Sequence, residues 1–159
     1  VTTDGFTTCL WFDGKAEEAA HFYVSLFKNS SLGKIGYYNE AGPAPAGGVM
    51  AVDFVANGQK FVALNGGPMF KFTEAISFQI YCADQAEVDH YWAKLTEGGE
   101  PGPCGWLKDK YGVSWQVVPD GLIEMIADPD QEKAVRVTKA MYAMGKLDIA
   151  ALKKAFAGE

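Results

Sequence analysis

His21 and His90 are the only histidines in the chain, and each is followed by two aromatic residues, His21-Phe22-Tyr23 and His90-Tyr91-Trp92. Imidazole is a common ligand for divalent metals, so a matched pair raises the chemistry of a metal site shared between two related halves. The competing reading is a duplicated helix whose histidine packs its ring at the edge of an apolar stripe. Cys9, Cys82 and Cys104 are odd in number and too far apart for a CxxC pair, so they read as reduced thiols, mostly buried. Cys104 sits in a loop near Lys108 and Lys110, cations that lower a thiol pKa, but no base partner is visible for a nucleophile. Trp11 and Trp106 have the flat surface to stack on a ring, although burial is the more common fate of an indole. Asn65, before Gly66-Gly67, reads as turn chemistry.

The elements that carry these residues repeat. Phe6 to Phe12 reads as a strand, and Ala16 to Phe27 as a helix with Ala19, Phe22, Tyr23, Leu26 and Phe27 on one stripe. Strands are expected at Leu32 to Asn39, Val49 to Val55 and Lys60 to Asn65, the last two joined by an Asn57-Gly58 hairpin turn. The pattern restarts with a strand at Ile76 to Cys82 and a helix at Gln85 to Leu95 bearing Val88, Tyr91, Trp92 and Leu95. A strand at Ser114 to Val118 follows the Gly/Pro-rich stretch GGEPGPCGW. The closing strands also match, GQKFVAL against GVSWQVV, which argues for a duplicated β-α-β-β-β unit. Beyond Pro119 the chain turns helical: Leu122 to Ala127, Asp130 to Met144 with Asp128 as cap, and Ile149 to Phe156 capped by Asp148.

In this arrangement both histidines lie on helices outside the sheets, which favours the packing role. Strand alternation points elsewhere. Ile76, Phe78 and Ile80 oppose Ser77, Gln79 and Tyr81; Trp115 and Val117 oppose Ser114 and Gln116; Met50, Val52 and Phe54 oppose Asp53 and Ala51. Small polar groups among Leu10, Phe12 and Tyr81 look more like a lined pocket than a solvated face.

Composition excludes several classes. With 48% apolar residues the chain can bury a real core, and no apolar run approaches the roughly 20 residues that span a bilayer. Fourteen basic against twenty acidic residues, without a basic cluster, exclude nucleic acid and an anionic membrane as partners. No basic segment precedes an apolar stretch as in a signal peptide, so a cytoplasmic protein is expected.

The segments CLWFDGKAEEAAHFYVSLF and CGWLKDKYGVSWQVVP, with ALNGG and the Asp-Pro-Asp helix start, resemble the PhnB-like branch of the vicinal-oxygen-chelate superfamily. That superfamily includes glyoxalase I, extradiol dioxygenases, fosfomycin-resistance enzymes and bleomycin-binding proteins. The resemblance implies an α+β fold in a single domain, residues 1–159. It comprises two βαβββ units, 6–72 and 73–119, whose curved mixed sheets are followed by a helical tail, 120–159. It further implies a homodimer, with units exchanged in many members.

Enzymatic members hold a metal on strand residues that correspond to Thr8, Asp53, Ser77 and Gln116. Only Asp53 is a usual ligand, so no metal or other cofactor is expected. Members of the branch often carry a 3-demethylubiquinone methyltransferase label, but no glycine-rich strand-to-helix turn supports a nucleotide cofactor here. The expected function is binding of a small organic molecule on the concave face. Thr8, Ser77, Gln79 and Gln116 would orient it, and Asp53 would serve as base or cation partner. The alternatives are a metal-assisted lyase, isomerase or dioxygenase, and a sequestering protein like the antibiotic-binding members.

Overall fold

The computed structural model describes residues 5–159, which divide into two compact units between Lys71 and Phe72. In the first unit the order is β1 (Thr8–Phe12), α1 (Ala16–Leu26), β2 (Ser31–Tyr37), β3 (Val49–Ala56) and β4 (Gln59–Asn65). Its sheet runs β1-β4-β3-β2, with β1 and β4 parallel and the other pairs antiparallel. The expected hairpin turn is present, with both Asn57 and Gly58 at positive φ. Tyr23 of α1 stacks on Phe54, which stacks on Phe61, so the helix stripe and the inner side of the sheet form one aromatic core.

The second unit repeats the plan with β5 (Ser77–Cys82), α2 (Gln85–Thr96), β6 (Glu100–Pro101), β7 (Trp106–Lys108) and β8 (Ser114–Pro119), ordered β5-β8-β7-β6. β6 and β7 arise from the Gly/Pro-rich stretch that reads as a loop. Two and three residues are too few to show alternation, and the ladder rather than the side chains defines them. α2 packs over β5, β7 and β8 through Val88, Tyr91 and Leu95, all buried. Its Asp84 cap accepts from the Glu87 amide at 2.9 Å.

The tail forms α3 (Leu122–Ile126), α4 (Gln131–Tyr142) and α5 (Ile149–Ala157). It belongs to the second unit, where Val118 joins Leu122, Val137, Leu147 and Leu152 in a buried cluster. Gln85 ties α2 to it, donating to Leu147 O at 3.1 Å and accepting from Ile149 N at 2.8 Å. The cap of α4 is Asp130, which accepts from Glu132 N and Lys133 N; Asp128, expected in that role, instead accepts from the Asp130 amide at 2.8 Å. Asp148 caps α5 as expected. Among the described residues no helix is long and apolar enough to cross a membrane.

Candidate functional site

The β5 and β8 strands run parallel in a register that sets Ser77 level with Ser114, Gln79 with Gln116 and Tyr81 with Val118. Residues at one level of a parallel pair point the same way, so Ser77, Gln79, Tyr81, Ser114 and Gln116 share one side of the sheet. Phe78, Ile80, Trp115 and Val117 take the other, against α2. On the polar side the expected residues bond to one another. The Tyr81 hydroxyl donates to Gln79 Oε1 at 2.8 Å, Gln79 Nε2 to Gln116 Oε1 at 3.3 Å, and Gln116 Nε2 to Ser77 Oγ at 2.8 Å. This relay fixes the orientation of both amides. Each glutamine keeps a second N–H and Ser77 keeps its hydroxyl hydrogen for an external acceptor. The result is a row of neutral groups whose geometry is set before any ligand arrives.

The first unit gathers its expected residues less well. Asp53 is level with Val62 of β4, and Val62 with Cys9 of β1, so Asp53 and Cys9 share the side away from α1. Asp53 is exposed there, in a shallow depression with Ser31, Lys60 and Val62. Thr8 is level with Phe61, on the helix side, one position out of phase with Asp53. Position along the chain relative to α1 does not set the parity of β1; the ladder with β4 does. For the same reason Leu10 and Phe12, 6% and 4% exposed, belong to the core under α1.

The thiols differ from the expectation that most are buried. Cys9 is exposed, Cys104 is half-buried and Cys82 alone is buried. Desolvation, reinforced by Glu87, Asp120 and Asp84, pushes the Cys82 thiol up to about 12, which keeps it protonated and unreactive. Asn65 proves structural. Its Oδ1 accepts from Ala16 N, the first residue of α1, at 2.9 Å, and its Nδ2 donates to Val49 O at 3.0 Å. The asparagine thus supplies the helix cap that Lys15 cannot. Trp11 is likewise engaged, its indole N–H donating to Gly67 O at 2.8 Å and its ring edge meeting Phe70.

A metal does not fit the donor set. His21 and His90 are exposed on α1 and α2, His90 with its ring against Tyr91. Ser77 and Gln116 are neutral, their oxygens already accept from Gln116 and Gln79 respectively, and Thr8 faces the core. Among the described residues no three His, Cys, Asp or Glu side chains are grouped to hold an ion.

Two features of the second unit were not singled out from the sequence. Asp109, 3% exposed, accepts from Tyr111 N at 2.8 Å, Val113 N at 3.1 Å and Trp115 Nε1 at 2.8 Å, and so holds the β7–β8 turn. Beside that turn lies a cavity of about 550 Å³ whose lining includes Cys104, Trp106, Lys108, Ser114 and Tyr142. Lys108 pairs with Glu74 at its edge; the hydrogen bond and the opposite charge raise the ammonium pKa and lower that of the carboxyl. Ser114 alternates in phase with Gln116, and this parity was the signal available for it.

The family model described as 3-demethylubiquinone-9 3-methyltransferase matches residues 4–118. Among solved structures, the chain is 39% identical to a PhnB protein from Bacillus cereus that carries the same methyltransferase label. The match covers 73% of this chain and 99% of that one, with a TM-score of 0.65. The fosfomycin resistance protein FosX from Mesorhizobium loti shares the fold at 11% identity, covering 80% and 100% of the two chains, with a TM-score of 0.57. FosX from Listeria monocytogenes, complexed with Mn(II) and sulfate, is 16% identical over 74% of this chain and 92% of that one, with a TM-score of 0.50. No curated protein is similar enough to register as a relative.

Proposed function

Because the chain belongs to the 3-demethylubiquinone-9 3-methyltransferase family, the PhnB-like branch of the glyoxalase fold, we propose that it binds a small, neutral organic molecule. The ligand lies on the polar side of the β5–β8 sheet and is held without a divalent metal. The observation that carries this reading is the Tyr81-Gln79-Gln116-Ser77 relay, in which both amides are locked by neighbours at 2.8 to 3.3 Å. Donors fixed in advance lose little freedom on binding, so a ligand carbonyl or hydroxyl gains most of each bond it makes. A fully charged ligand would find no compensating charge in the relay, which favours a neutral one.

Independently of that ligand, Asp53 is proposed as a base or cation partner on the first unit, where it is the carboxylate on the outer side of β3. Thr8 has no part in the proposal, since its level with Phe61 turns it toward the core. The Mn(II) of the Listeria FosX structure is that protein's. The corresponding positions here offer one carboxylate and neutral oxygens, and no step of the proposal runs through a metal. Methyl transfer is no part of the proposal either. Among the described residues the three strand-to-helix turns, Asp13-Gly14-Lys15, Ala83-Asp84 and Asp120-Gly121, lack the run of glycines that seats a nucleotide cofactor.

The proposal extends to a homodimer in the cytoplasm, with units exchanged between the partners. Its support is that β1 and β5 each stand at the end of a sheet, and that Ile76 and Tyr81, beside and on β5, are 72% and 54% exposed. Three unpaired cysteines suit a reducing compartment.

A thermal-shift screen against neutral carbonyl and hydroxyl compounds tests the binding. A ligand present at 100 times its Kd stabilises by about 2.7 kcal/mol, which is readily seen as a rise in Tm. The shift is expected to disappear in Gln116→Ala, whose loss frees Gln79 and Ser77 from their partner. Hits that stabilise Gln116→Ala as well as the parent protein would sink the assignment.

A further inference from the structure

The β7–β8 ladder sets Trp106 level with Gln116, so the indole stands on the polar side of the sheet, next to the middle of the relay. Level residues on adjacent antiparallel strands lie roughly 4.5 to 5.5 Å apart at Cα, a separation that one small molecule spans. Alternation carries the same side of β8 on to Val118, which is level with Tyr81 of β5. There the face is covered: Val118 is 6% exposed, buried with Leu122, Val137, Leu147 and Leu152 of the helical tail. The tail therefore closes the polar side at the end of β8, one step beyond Gln116.

The tail also contributes to the lining. The segment after α4 is tied to the loop before β7 by two backbone bonds, Cys104 N donating to Met144 O and Gly105 N to Gly145 O, both at 2.8 Å. Tyr142, the last residue of α4, thereby lines the same hollow as Trp106, with Pro101 and Pro103. Its side chain is 69% exposed, apolar surface that a bound ring would take out of water. Every one of these tail residues lies beyond residue 118, where the family match stops.

We propose that the tail is the specificity element of the relay site and selects a neutral aromatic carbonyl or phenol. The polar group bonds to Gln116 through the amide N–H that the relay leaves over, while the ring packs on Trp106 and against Tyr142. This rests on the relay reading and adds to it the class of the ligand and the residues that choose it. Aromatic faces and edges pack favourably, so a ring gains contacts here that an aliphatic carbonyl compound cannot make.

NMR titration of the full chain with benzamide and, separately, with acetamide tests the proposal; the two probes share the carbonyl and differ in the ring. Benzamide is expected to shift the Gln116 side-chain amide and the Trp106 indole N–H together and saturably, and to bind about ten-fold more tightly than acetamide or better. Trp106→Leu and Tyr142→Ala are each expected to weaken benzamide roughly three- to ten-fold, the worth of an aromatic contact, and to leave acetamide unchanged. Tyr142 is exposed, so its alanine variant spares the core and carries the test should Trp106→Leu fold poorly. Absence of saturable benzamide binding, or binding that Trp106→Leu and Tyr142→Ala leave unchanged, would overturn the selection by the tail. The relay reading is scored apart from it by Gln116→Ala, which should weaken benzamide and acetamide alike.

Discussion

Replacing Asp109 by alanine is expected to lower the unfolding free energy by about 3 kcal/mol, the cost of stranding two or more buried donors at roughly 1 to 3 kcal/mol each. The carboxylate is 3% exposed and accepts from two backbone amides and the Trp115 indole. Val113 and Trp115 are themselves buried, so their N–H groups have no water to turn to. Asp109→Asn keeps one oxygen for the two amides but sets an NH2 against the indole N–H, and should lose about half as much. The effect reaches the polar face, because the turn that Asp109 holds keeps Lys108 level with Ser114 in the β7–β8 ladder. Urea unfolding measures the stability change, and amide exchange at Val113 and Trp115 should quicken more than in the first unit. An alanine variant within about 0.5 kcal/mol of the parent, the usual range for a surface change, would show that the carboxylate does not hold the turn.

Gly105→Ala is expected to be nearly as damaging, and for a reason of backbone rather than charge. Gly105 has φ of +81°, and a Cβ there would lie 2.7 Å from Val117 O and 3.1 Å from a Leu147 methyl. The left-handed conformation costs an ordinary residue roughly 1 to 2 kcal/mol, and crowding in a packed interior roughly 1 to 3 more, so about 3 kcal/mol in all. The carbonyl cannot move aside, because it belongs to β8, and the Val117 amide donates to Gly105 O at 2.8 Å. Leu147 is part of the tail cluster, so the same substitution should loosen α4 and α5 from the sheet. Melting should show a fall of roughly 2 to 4 °C per kcal/mol for a chain of this length. As a control, Gly112→Ala, with φ of +87° and nothing within 4 Å of its Cβ, should lose only the conformational part. Equal losses at the two glycines would mean that the contact with β8 contributes nothing.

Most of the fold was legible because two periodicities are strong. The helix stripes of α1 and α2 and the Asn57-Gly58 turn announce themselves in short windows, and their repetition marks the duplication. The histidines that first suggested a metal are exposed helix residues. What the sequence could not convey is relative parity between strands far apart in the chain. Thr8 and Asp53 lie on different strands, and only the β1–β4 and β4–β3 ladders reveal that Cys9, not Thr8, shares the side of Asp53. β5 and β8 were read correctly because each alternates clearly within itself, Phe78 and Ile80 against Gln79, Trp115 and Val117 against Gln116. β6 and β7 are too short to alternate. The choice between Asp128 and Asp130 as cap rested on two carboxylates two residues apart, which only backbone angles separate. Asp109 stands between Lys108 and Lys110, and its burial follows from donors supplied by residues further along the turn, which no local pattern marks.

Native mass spectrometry tests the central claim most directly, on protein purified without chelator and incubated with the strongest hit of the neutral-ligand screen. The predicted result is a complex whose mass is the chain plus the organic molecule, with no metal in its mass and no loss on treatment with chelator. A complex that forms only with a divalent ion in its mass, or that disappears with the chelator, would contradict metal-free binding at the relay.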